Sequence, residues 1–387
     1  MEYVFFFKDT AGRRASVVSC LIFDCRNWWL HWFSSEPFLV SVPILWRLHI
    51  QLYQMDFCQM QYFLTYNLGW RGSSGKRADM GTMAHKVMEI LAGLKKFQQD
   101  NPRRKWLEIE DDKCGKVRVS KDDLYTDAFV DELIARSIKD YGETSAHKFY
   151  RKERQEVKDT VYTFLTHNGS QFDPRQRNVY YPEPHFDLPI EEDWAKFDFV
   201  DANGNTQKGQ LAIKGTIDLV TLVNEDTIEV VDWKSGRRLN WASGEEKTYE
   251  KMQNDPQLLL YFYAMSKMFP DFPNRIMSIF FYKDTEGEPD PTPYSFCFTE
   301  EDEDRFLGML KKRVEEIRQN TNPSVLDPTR TDFRCKYLCH FCKNSFEGET
   351  DNMCITIEKE LVQLGMDEVV KKRTAPDFNI GFYEAPG

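Results

Sequence analysis

The chain has 387 residues, of which 41% are hydrophobic and 29% are charged, a balance typical of a soluble globular protein and not of a disordered one. Its 51 basic and 62 acidic residues give a net charge of −11, which argues against a broad, nonspecific nucleic-acid coat and leaves room for a local basic groove. A chain of this length can bury the core of one large domain or of two smaller ones.

The first two segments differ in how regular their hydrophobic pattern is. Residues 1–50 are rich in aromatic side chains but keep neither strand nor helix periodicity, so we interpret them as an N-terminal extension of unknown role. From Leu52 to Leu68 apolar side chains recur around a helix, and Gly69 ends it. Cys58 lies in this helix, where a cysteine taken alone is more often a buried helix residue than a metal ligand.

A second helix is predicted from Met80 to Glu89. His85 and Glu89 are four residues apart and therefore lie on one face of it, which taken alone indicates a surface His–Glu pair. Over about residues 100–175 helical spacing and mixed charge predict an inserted α-helical lobe. A strand is expected next, from Val179 to Ile190.

A β-hairpin is predicted around the turn at residues 224–226, and it carries charges where a core is expected. Asp218 lies in the first β-rich run and Asp232 in the second. Because side chains alternate along a strand, Asp232 and Lys234 point to the same side, with Asp218 near the same end of the sheet.

This group of two carboxylates and one ammonium is unfavourable in a partly dehydrated place unless a cation or partner compensates it. Two carboxylates suit a hard divalent ion such as Mg²⁺. A nearby lysine can hold and polarise an attacking water, so the pattern predicts metal-assisted hydrolysis. A plain salt bridge between Asp232 and Lys234 is the open alternative.

Residues after the hairpin add polar groups near Lys234. Arg237 and Arg238 follow it in a polar loop, where they suit either a phosphate contact or simple exposure to solvent. Asp255 as N-cap and Pro256 as first residue predict a helix that places Gln257 and Tyr261 one turn apart. Two closing strands and a charged amphipathic helix are then expected over Arg275–Tyr282, Tyr294–Phe298 and Glu300–Gln319.

Four of the nine cysteines lie close together near the end of the chain. In a chain this large, such a cluster favours metal over disulfides. Four thiolates satisfy either tetrahedral Zn²⁺ or an iron–sulfur cluster, and spacing alone does not choose between them. The cluster consists of Cys335, Cys339, Cys342 and Cys354.

Several of these motifs together resemble the PD-(D/E)XK nuclease superfamily, specifically its RecB-like branch, which includes CRISPR-associated RecB-like nucleases, AddB-type helicase-nucleases and many phage exonucleases. The motifs are Ile217-Asp218, Asp232-Trp233-Lys234, Gln257 with Tyr261, Gly81-Thr82 with His85 and Glu89, and the segment around Cys58. Glu183 resembles an acidic residue that the family sometimes has, whereas Gln59 stands where the family often has proline. The resemblance implies an α/β fold of the restriction-endonuclease type, with a mixed central sheet flanked by helices.

The resemblance also implies an activity, that of a Mg²⁺- or Mn²⁺-dependent deoxyribonuclease of exonuclease type. The implied catalytic residues are Asp218, Asp232 and Lys234. The implied metal ligands are His85, Asp218, Asp232 and the backbone carbonyl of Trp233. The implied DNA-binding residues are Gln257, Tyr261, Arg237 and Arg238.

In RecB-like families with an iron–sulfur cluster, one early cysteine joins three late ones and clamps the ends of the nuclease core. Here a 4Fe–4S cluster would use four of Cys58, Cys335, Cys339, Cys342 and Cys354. Cys339 and Cys342 have the spacing of the family's first late pair, and Cys354 would need a longer loop. A local structural Zn²⁺ site built from the four late cysteines, with His340 as a substitute ligand, is the alternative.

These implications give a domain plan and a set of partners. We expect a nuclease domain over residues 51–360, with its cysteine cluster at 333–354, and a C-terminal tail at 361–387. DNA with a free end or a single strand is the expected partner, recombination or replication proteins are further ones, and the oligomeric state is not indicated. No secretory pattern opens the sequence, so we expect an intracellular, cytoplasmic protein without a membrane span.

Two other classes of function stay open. One is a nucleic-acid-binding protein of the same fold that does not hydrolyse its ligand. The other is a zinc-stabilised interaction protein in which Asp232 and Lys234 form only a salt bridge.

Overall fold

The computed structural model describes residues 54–376, apart from residues 73–74, 201–205, 241–242, 291–292 and 321. The predicted N-terminal extension at residues 1–50 lies outside this part of the chain, as does the end of the predicted tail. Within the described ranges, no helix combines the length and the apolar character needed to cross a membrane.

The secondary structure is mixed. The helices are α1 Gln59–Tyr62, α2 Lys76–Asp100, α3 Asp127–Thr144, α4 Arg151–Ser170, α5 Tyr249–Met252, α6 Pro256–Met268, α7 Glu300–Gln319, α8 Met353–Leu364 and α9 Met366–Arg373. The strands are β1 Trp106–Asp111, β2 Gly115–Ser120, β3 Val179–Pro182, β4 His185–Pro189, β5 Lys196–Val200, β6 Thr206–Gln210, β7 Ala212–Thr216, β8 Leu219–Asn224, β9 Thr227–Arg237, β10 Asn274–Lys283 and β11 Tyr294–Cys297. Two π-helical turns cover Phe63–Asn67 and Arg334–Leu338.

The centre of the protein is a mixed five-stranded sheet in the order β11-β10-β9-β8-β3. Strands β9 and β10 run parallel, while the other neighbours are antiparallel. Parallel strands need a crossover connection, and α6 supplies it between β9 and β10. Strands β8 and β9 are the predicted hairpin. The predicted mixed sheet flanked by helices is therefore confirmed.

Two hydrophobic layers cover the two faces of this sheet. Along β9, Val231 and Trp233 pack with α2, α3, α4 and the β1–β2 hairpin, whereas Ile228 and Val230 pack with α6 and α7. This split follows from the alternation of side chains along a strand. The strand that carries Asp232 and Lys234 is therefore buried on both faces.

The prediction of one strand from Val179 to Ile190 is wrong, because the chain turns in the middle of it. Glu183 has a φ of +46°, a conformation that side chains with a Cβ rarely adopt, and it separates β3 from β4. Strand β3 pairs with β8, and β4 pairs with β7. Asp218 likewise lies in a bend between β7 and β8 and not inside a strand.

Other predictions of secondary structure hold to different degrees. Helix α6 begins as predicted, with the side chain of Asp255 accepting a hydrogen bond from the backbone N–H of Gln257 at 2.9 Å. Helix α7 has the predicted bounds. The helix predicted up to Leu68 is broken at Cys58, whose backbone is extended. The region predicted as helical between residues 100 and 175 contains α3 and α4, and in addition the β1–β2 hairpin.

A third hydrophobic cluster joins the early and late parts of the described chain. Apolar side chains of α1 and its π-turn, such as Met60 and Phe63, pack with Ile357 and Leu361 of α8. Trp70 Nε1 donates a hydrogen bond of 2.6 Å to a backbone carbonyl 303 residues later, that of Arg373. We call this cluster with its cysteines the cysteine module. The predicted domain boundary at residue 360 falls within α8.

The ion pair between Glu360 and Arg373 generates a first prediction. Hydrogen bonds from Arg373 hold the pKa of Glu360 below its usual range, although burial opposes this, and both side chains are nearly buried. We expect Glu360→Gln to lower the free energy of unfolding by about 2 kcal/mol at neutral pH. Because the pKa is lowered on folding, the difference should shrink as the pH falls through the folded pKa of Glu360.

Urea unfolding of the wild type and of Glu360→Gln, at neutral and at acidic pH, measures this effect. The matched control is Glu368→Gln, which removes an exposed partner of Lys371 on the next helix and should change stability by no more than about 0.5 kcal/mol. Equal losses for the two variants would contradict the role given to Glu360.

Candidate active site

The bend before β8 brings Asp218 against the last part of β9. One oxygen, Asp218 Oδ2, accepts a hydrogen bond of 2.9 Å from the backbone N–H of Trp233. The other, Oδ1, lies 3.2 Å from Nδ1 of His85 on α2. Asp218 is thus held between the sheet and α2, which packs on one face of the sheet. Asp218 also lies close to β9, the second strand of the hairpin, as predicted.

Asp232 and Lys234 point to the same side, as the alternation of β9 predicts. Lys234 Nζ lies 3.1 Å and 2.8 Å from the two carboxylate oxygens of Asp232. It also donates a hydrogen bond of 2.9 Å to Gln257 Oε1 on α6. Gln257 Nε2 in turn donates to the hydroxyl of Tyr261 at 2.7 Å. Helix α6 therefore orients Lys234 from one face of the sheet, whereas His85 lies on the other face.

The charges of this group shift each other's ionisation. Burial and the neighbouring Asp218 raise the pKa of Asp232 to about 6, against the opposing charge of Lys234. Burial also opposes ionisation of Asp218, but the charge on His85 outweighs it and holds the pKa of Asp218 below its usual range. Burial would lower the pKa of Lys234, and the two carboxylates raise it instead. Lys234 is therefore a cation at neutral pH.

The donor chemistry of this group fits a hard divalent cation. Asp232 Oδ2 is buried and accepts no hydrogen bond. Its contact with the ammonium of Lys234 is an ion pair only. Such a carboxylate oxygen is the ligand type that Mg²⁺ prefers. In the described part of the chain, no three His, Cys, Asp or Glu side chains are arranged to hold an ion as they stand.

A pair of carboxyl groups lies beside the site and was not among the predicted site residues. Glu89 on α2 and Glu183 hydrogen-bond to each other through their side chains, and burial together with this bond raises the pKa of Glu89 to about 8. The backbone N–H of Glu183 donates to the carbonyl of Asp218 at 3.3 Å. The pair therefore links α2 to the bend that carries Asp218. The four-residue spacing from His85 was the available sequence signal for Glu89.

Lys86 and Asp111 form a second contact that sequence reasoning missed. Lys86 Nζ lies 2.6 Å from Glu89 and 3.1 Å from Asp111, which is on the β1–β2 hairpin. Both Lys86 and Asp111 are buried. No sequence signal pointed to this contact, because the hairpin itself was not predicted.

The two arginines after Lys234 differ in their surroundings. Arg238 lies 2.7 Å from Asp290 and 2.9 Å from Glu246, and its side chain is only 13% exposed. These carboxylates already neutralise it, which does not support the predicted contact of Arg238 with DNA. Arg237 is exposed, and its guanidinium lies close to Gly287. It is the member of the pair that remains available to an external anion.

All five predicted cysteine ligands meet in the cysteine module. A narrow space is lined by Cys58, Cys335, Cys339, Cys342 and Cys354 together with apolar side chains and the polar residues Gln61 and Asp327. Cys58 thus reaches the late cysteines, as an early ligand must. His340 is not among the lining residues, and its ring hydrogen-bonds to Asn344. The structure therefore gives no support to His340 as a substitute zinc ligand.

The thiols of this module differ in acidity. The hydrogen bond from Cys342 lowers the pKa of Cys339 to about 6 and also lowers that of Cys354. Arg330 contributes to the second shift through a contact of 3.7 Å between Nη2 and Cys354 Sγ. Burial raises the pKa of Cys58. Because the thiolate is the reactive form of cysteine, these shifts make Cys339 and Cys354 the more acidic thiols of the module.

The contact between His85 and Asp218 generates a second prediction. Burial lowers the pKa of His85, but the charge of Asp218 and its hydrogen bond outweigh burial and raise it. We expect Asp218→Asn to lower the pKa of His85 by at least about one unit. Asp232→Asn should lower it less, because Asp232 acts on His85 through charge alone.

Titration of the imidazole protons by nuclear magnetic resonance, with metals removed by a chelator, measures both values. A His85 pKa that stays the same in Asp218→Asn would rule out the ion pair.

Three comparisons relate this chain to known proteins. A model of the PD-(D/E)XK nuclease superfamily matches residues 49–344. A crystal structure of a candidate exonuclease from Eubacterium rectale is similar at 11% identity and a TM-score of 0.27, over 69% of this chain and 93% of that one. A search of curated proteins finds no match. Since the family model spans more than half of the sequence, the chain belongs to the PD-(D/E)XK nuclease superfamily.

Proposed function

We propose that this protein is a Mg²⁺- or Mn²⁺-dependent deoxyribonuclease of the RecB-like branch, acting as an exonuclease on DNA with a free end or a single strand. Membership of a nuclease superfamily supplies the class of reaction and a nucleic-acid substrate. The observation that supports the finer proposal is the meeting of Asp218, Asp232, Lys234 and Gln257 at one end of β9.

Two carboxylates are the proposed core of a metal site. Asp218 and Asp232 would hold the divalent ion, with His85 and the backbone carbonyl of Trp233 as further ligands. When bound, such an ion offsets negative charge on a phosphate and makes a bound water a better nucleophile. The hydrogen bond from Trp233 to Asp218 and the contact with His85 fix the direction of the first carboxylate.

Lys234 is proposed to orient the attacking water and to stabilise charge that develops on the phosphate. Its ammonium stays protonated at neutral pH, so it donates hydrogen bonds and does not act as a base. Asp232 and Gln257 hold it from two sides, while its side chain keeps 27% of its surface open to solvent. A cation fixed in this way needs little rearrangement when the reaction occurs.

The remaining predicted residues take different roles in this proposal. Gln257 positions Lys234 directly, and Tyr261 is buried and bonded to Gln257, so it acts through Gln257 and not on the DNA. Arg237 is exposed near the same end of the sheet and is proposed to contact a phosphate. The linkage of α2 to the bend through Glu89 and Glu183 keeps Asp218 in place.

The cysteine module is proposed to hold a 4Fe–4S cluster through four of its five cysteines, with a structural Zn²⁺ ion as the alternative. The proposal is supported by the position of Cys58, which lines the same space as the late thiols. A bound group there would fix α1 to α8 and so connect the early and late parts of the nuclease.

The role of Lys234 gives a third prediction. We expect Lys234→Ala to lower the rate of Mg²⁺- or Mn²⁺-supported cleavage of linear DNA by at least about 100-fold, because a positioned cation at the reacting phosphate is lost. The measurement is release of nucleotides from end-labelled DNA. The far-ultraviolet circular dichroism spectrum should keep its wild-type shape, while the melting temperature should fall, because Asp232 is only 3% exposed and loses its partner.

The matched control is Lys267→Ala, which removes a half-exposed lysine of α6 that pairs with Glu303 outside the site. It should cleave DNA at the wild-type rate. Persistent cleavage by purified Lys234→Ala protein would remove the catalytic assignment.

The bound group of the cysteine module gives a fourth prediction. Protein purified without oxygen should be brown and contain about four irons per chain, and Cys58→Ser should lose both the colour and thermal stability. Elemental analysis and visible absorption measure this. Cys297→Ser is the control, because Cys297 is exposed on β11 and lies outside the module. A colourless protein that contains zinc would support the alternative.

A further inference from the structure

A short surface of the cysteine module exposes large apolar side chains to solvent. The turn around Arg334–Leu338 directs Cys335 and Cys339 inward, where both are buried. Its other side carries Phe333, Tyr337 and Leu338, which are 58%, 56% and 46% exposed. The rings of Phe333 and Tyr337 lie 5.3 Å apart and are tilted by 43°. Fixing the thiols inward therefore presents two neighbouring rings outward.

The same surface is positively charged in a protein of net charge −11. Lys336 Nζ lies 5.3 Å from the centre of the Tyr337 ring, and Lys343 Nζ donates to the carbonyl of Tyr337 at 2.8 Å. Among the residues that the structure describes, neither lysine has a carboxylate at ion-pair distance. Arg334, in contrast, is paired with Asp332. Among the described residues, two cations without a carboxylate at ion-pair distance therefore flank the two rings, and the charge of Lys343 also acts on the Cys339 thiol.

The position of this surface relates it to the candidate active site. Gly72, four residues before α2 begins, lies against the module, because a Cβ atom on Gly72 would lie 3.2 Å from Cβ of His340. Helix α2 begins at Lys76 and carries His85. At about 1.5 Å per residue, the helix between these two residues spans about 14 Å. A stacked single strand of about four nucleotides, at 3.4 Å each, would span this part of α2.

We infer that Phe333 and Tyr337, flanked by Lys336 and Lys343, form a stacking platform for single-stranded nucleic acid. The inference rests on the proposed nuclease function, because it places a strand that leaves the active site on this surface. Every base has a face that can stack on an aromatic ring, and lysines follow the phosphates beside it. A duplex keeps its base faces covered, so the platform selects a single strand and does not read sequence.

Binding of a fluorescent oligo(dT) strand to the full-length protein tests the platform, with a chelator present so that no cleavage occurs. We expect Phe333→Ala/Tyr337→Ala to bind at least about tenfold more weakly, a loss that corresponds to about 1.4 kcal/mol. Tyr337→Phe keeps the ring and should bind as the wild type does. Lys336→Ala/Lys343→Ala should reduce the dependence of affinity on salt.

The matched control is Trp106→Ala. Trp106 is 52% exposed and lies under the guanidinium of Arg118, so it also pairs an open ring with a cation. It belongs to β1, which follows the opposite end of α2, and its loss should leave oligo(dT) binding unchanged. Equal affinities of the wild type and the double-ring variant would overturn the platform.

Two further outcomes separate this inference from its alternatives. Hydrolysis of bis(p-nitrophenyl) phosphate with Mn²⁺ needs no contact beyond the active site, so ring variants should retain it and Lys234→Ala should lose it. If the wild type hydrolyses nothing but binds oligo(dT) through its rings, the platform stands and the nuclease proposal fails. If the ring variants bind oligo(dT) normally but lose self-association in gel filtration, the surface is a protein interface and the platform is overturned.

Discussion

The hydrogen bond from the backbone of Trp233 to Asp218 is the contact on which the candidate site depends. It fixes a bend between two strands against the end of a third, and so places one carboxylate beside another in a nearly dry environment. Such a group is unfavourable unless each charge has a partner. His85 meets Asp218 from one layer of the fold, and Lys234 meets Asp232 with help from α6 in the other layer. Removing one partner would leave the next charge uncompensated.

The site lies at the boundary between the two hydrophobic layers. Residues of β9 alternate between them, so Val231 and Trp233 enter one core while Val230 faces the other. Polar groups from opposite layers can therefore meet only where the apolar rows end. Here this point is the last part of β9, where the bend before β8 opens space for Asp218. This boundary explains how helices that share no core contribute side chains to one polar group.

Local regularities made part of this site predictable. Alternation along a strand paired Asp232 with Lys234, and helical spacing with an N-cap paired Gln257 with Tyr261. Contacts between distant segments were beyond such reasoning. The sequence presents Arg237 and Arg238 as equivalent, and only Asp290, 52 residues later, decides that Arg238 is neutralised. The turn at Glu183 and the β1–β2 hairpin were missed although short-range patterns mark them: prolines flank Glu183, and alternating apolar residues flank the turn at Gly115.

The cysteine module also determines the order in which the protein can be completed during synthesis. Its hydrogen bond from the Trp70 indole reaches a backbone carbonyl 303 residues later, and Met60 and Phe63 pack with late residues such as Ile357 and Leu361 of α8. The entropic cost of closing so long a loop is only slightly higher than that of a shorter one. The loop cannot close, however, before the late segment has left the ribosome. The apolar face of α1 therefore stays uncovered until α8 has been synthesised, and a nascent chain can aggregate through this face before then.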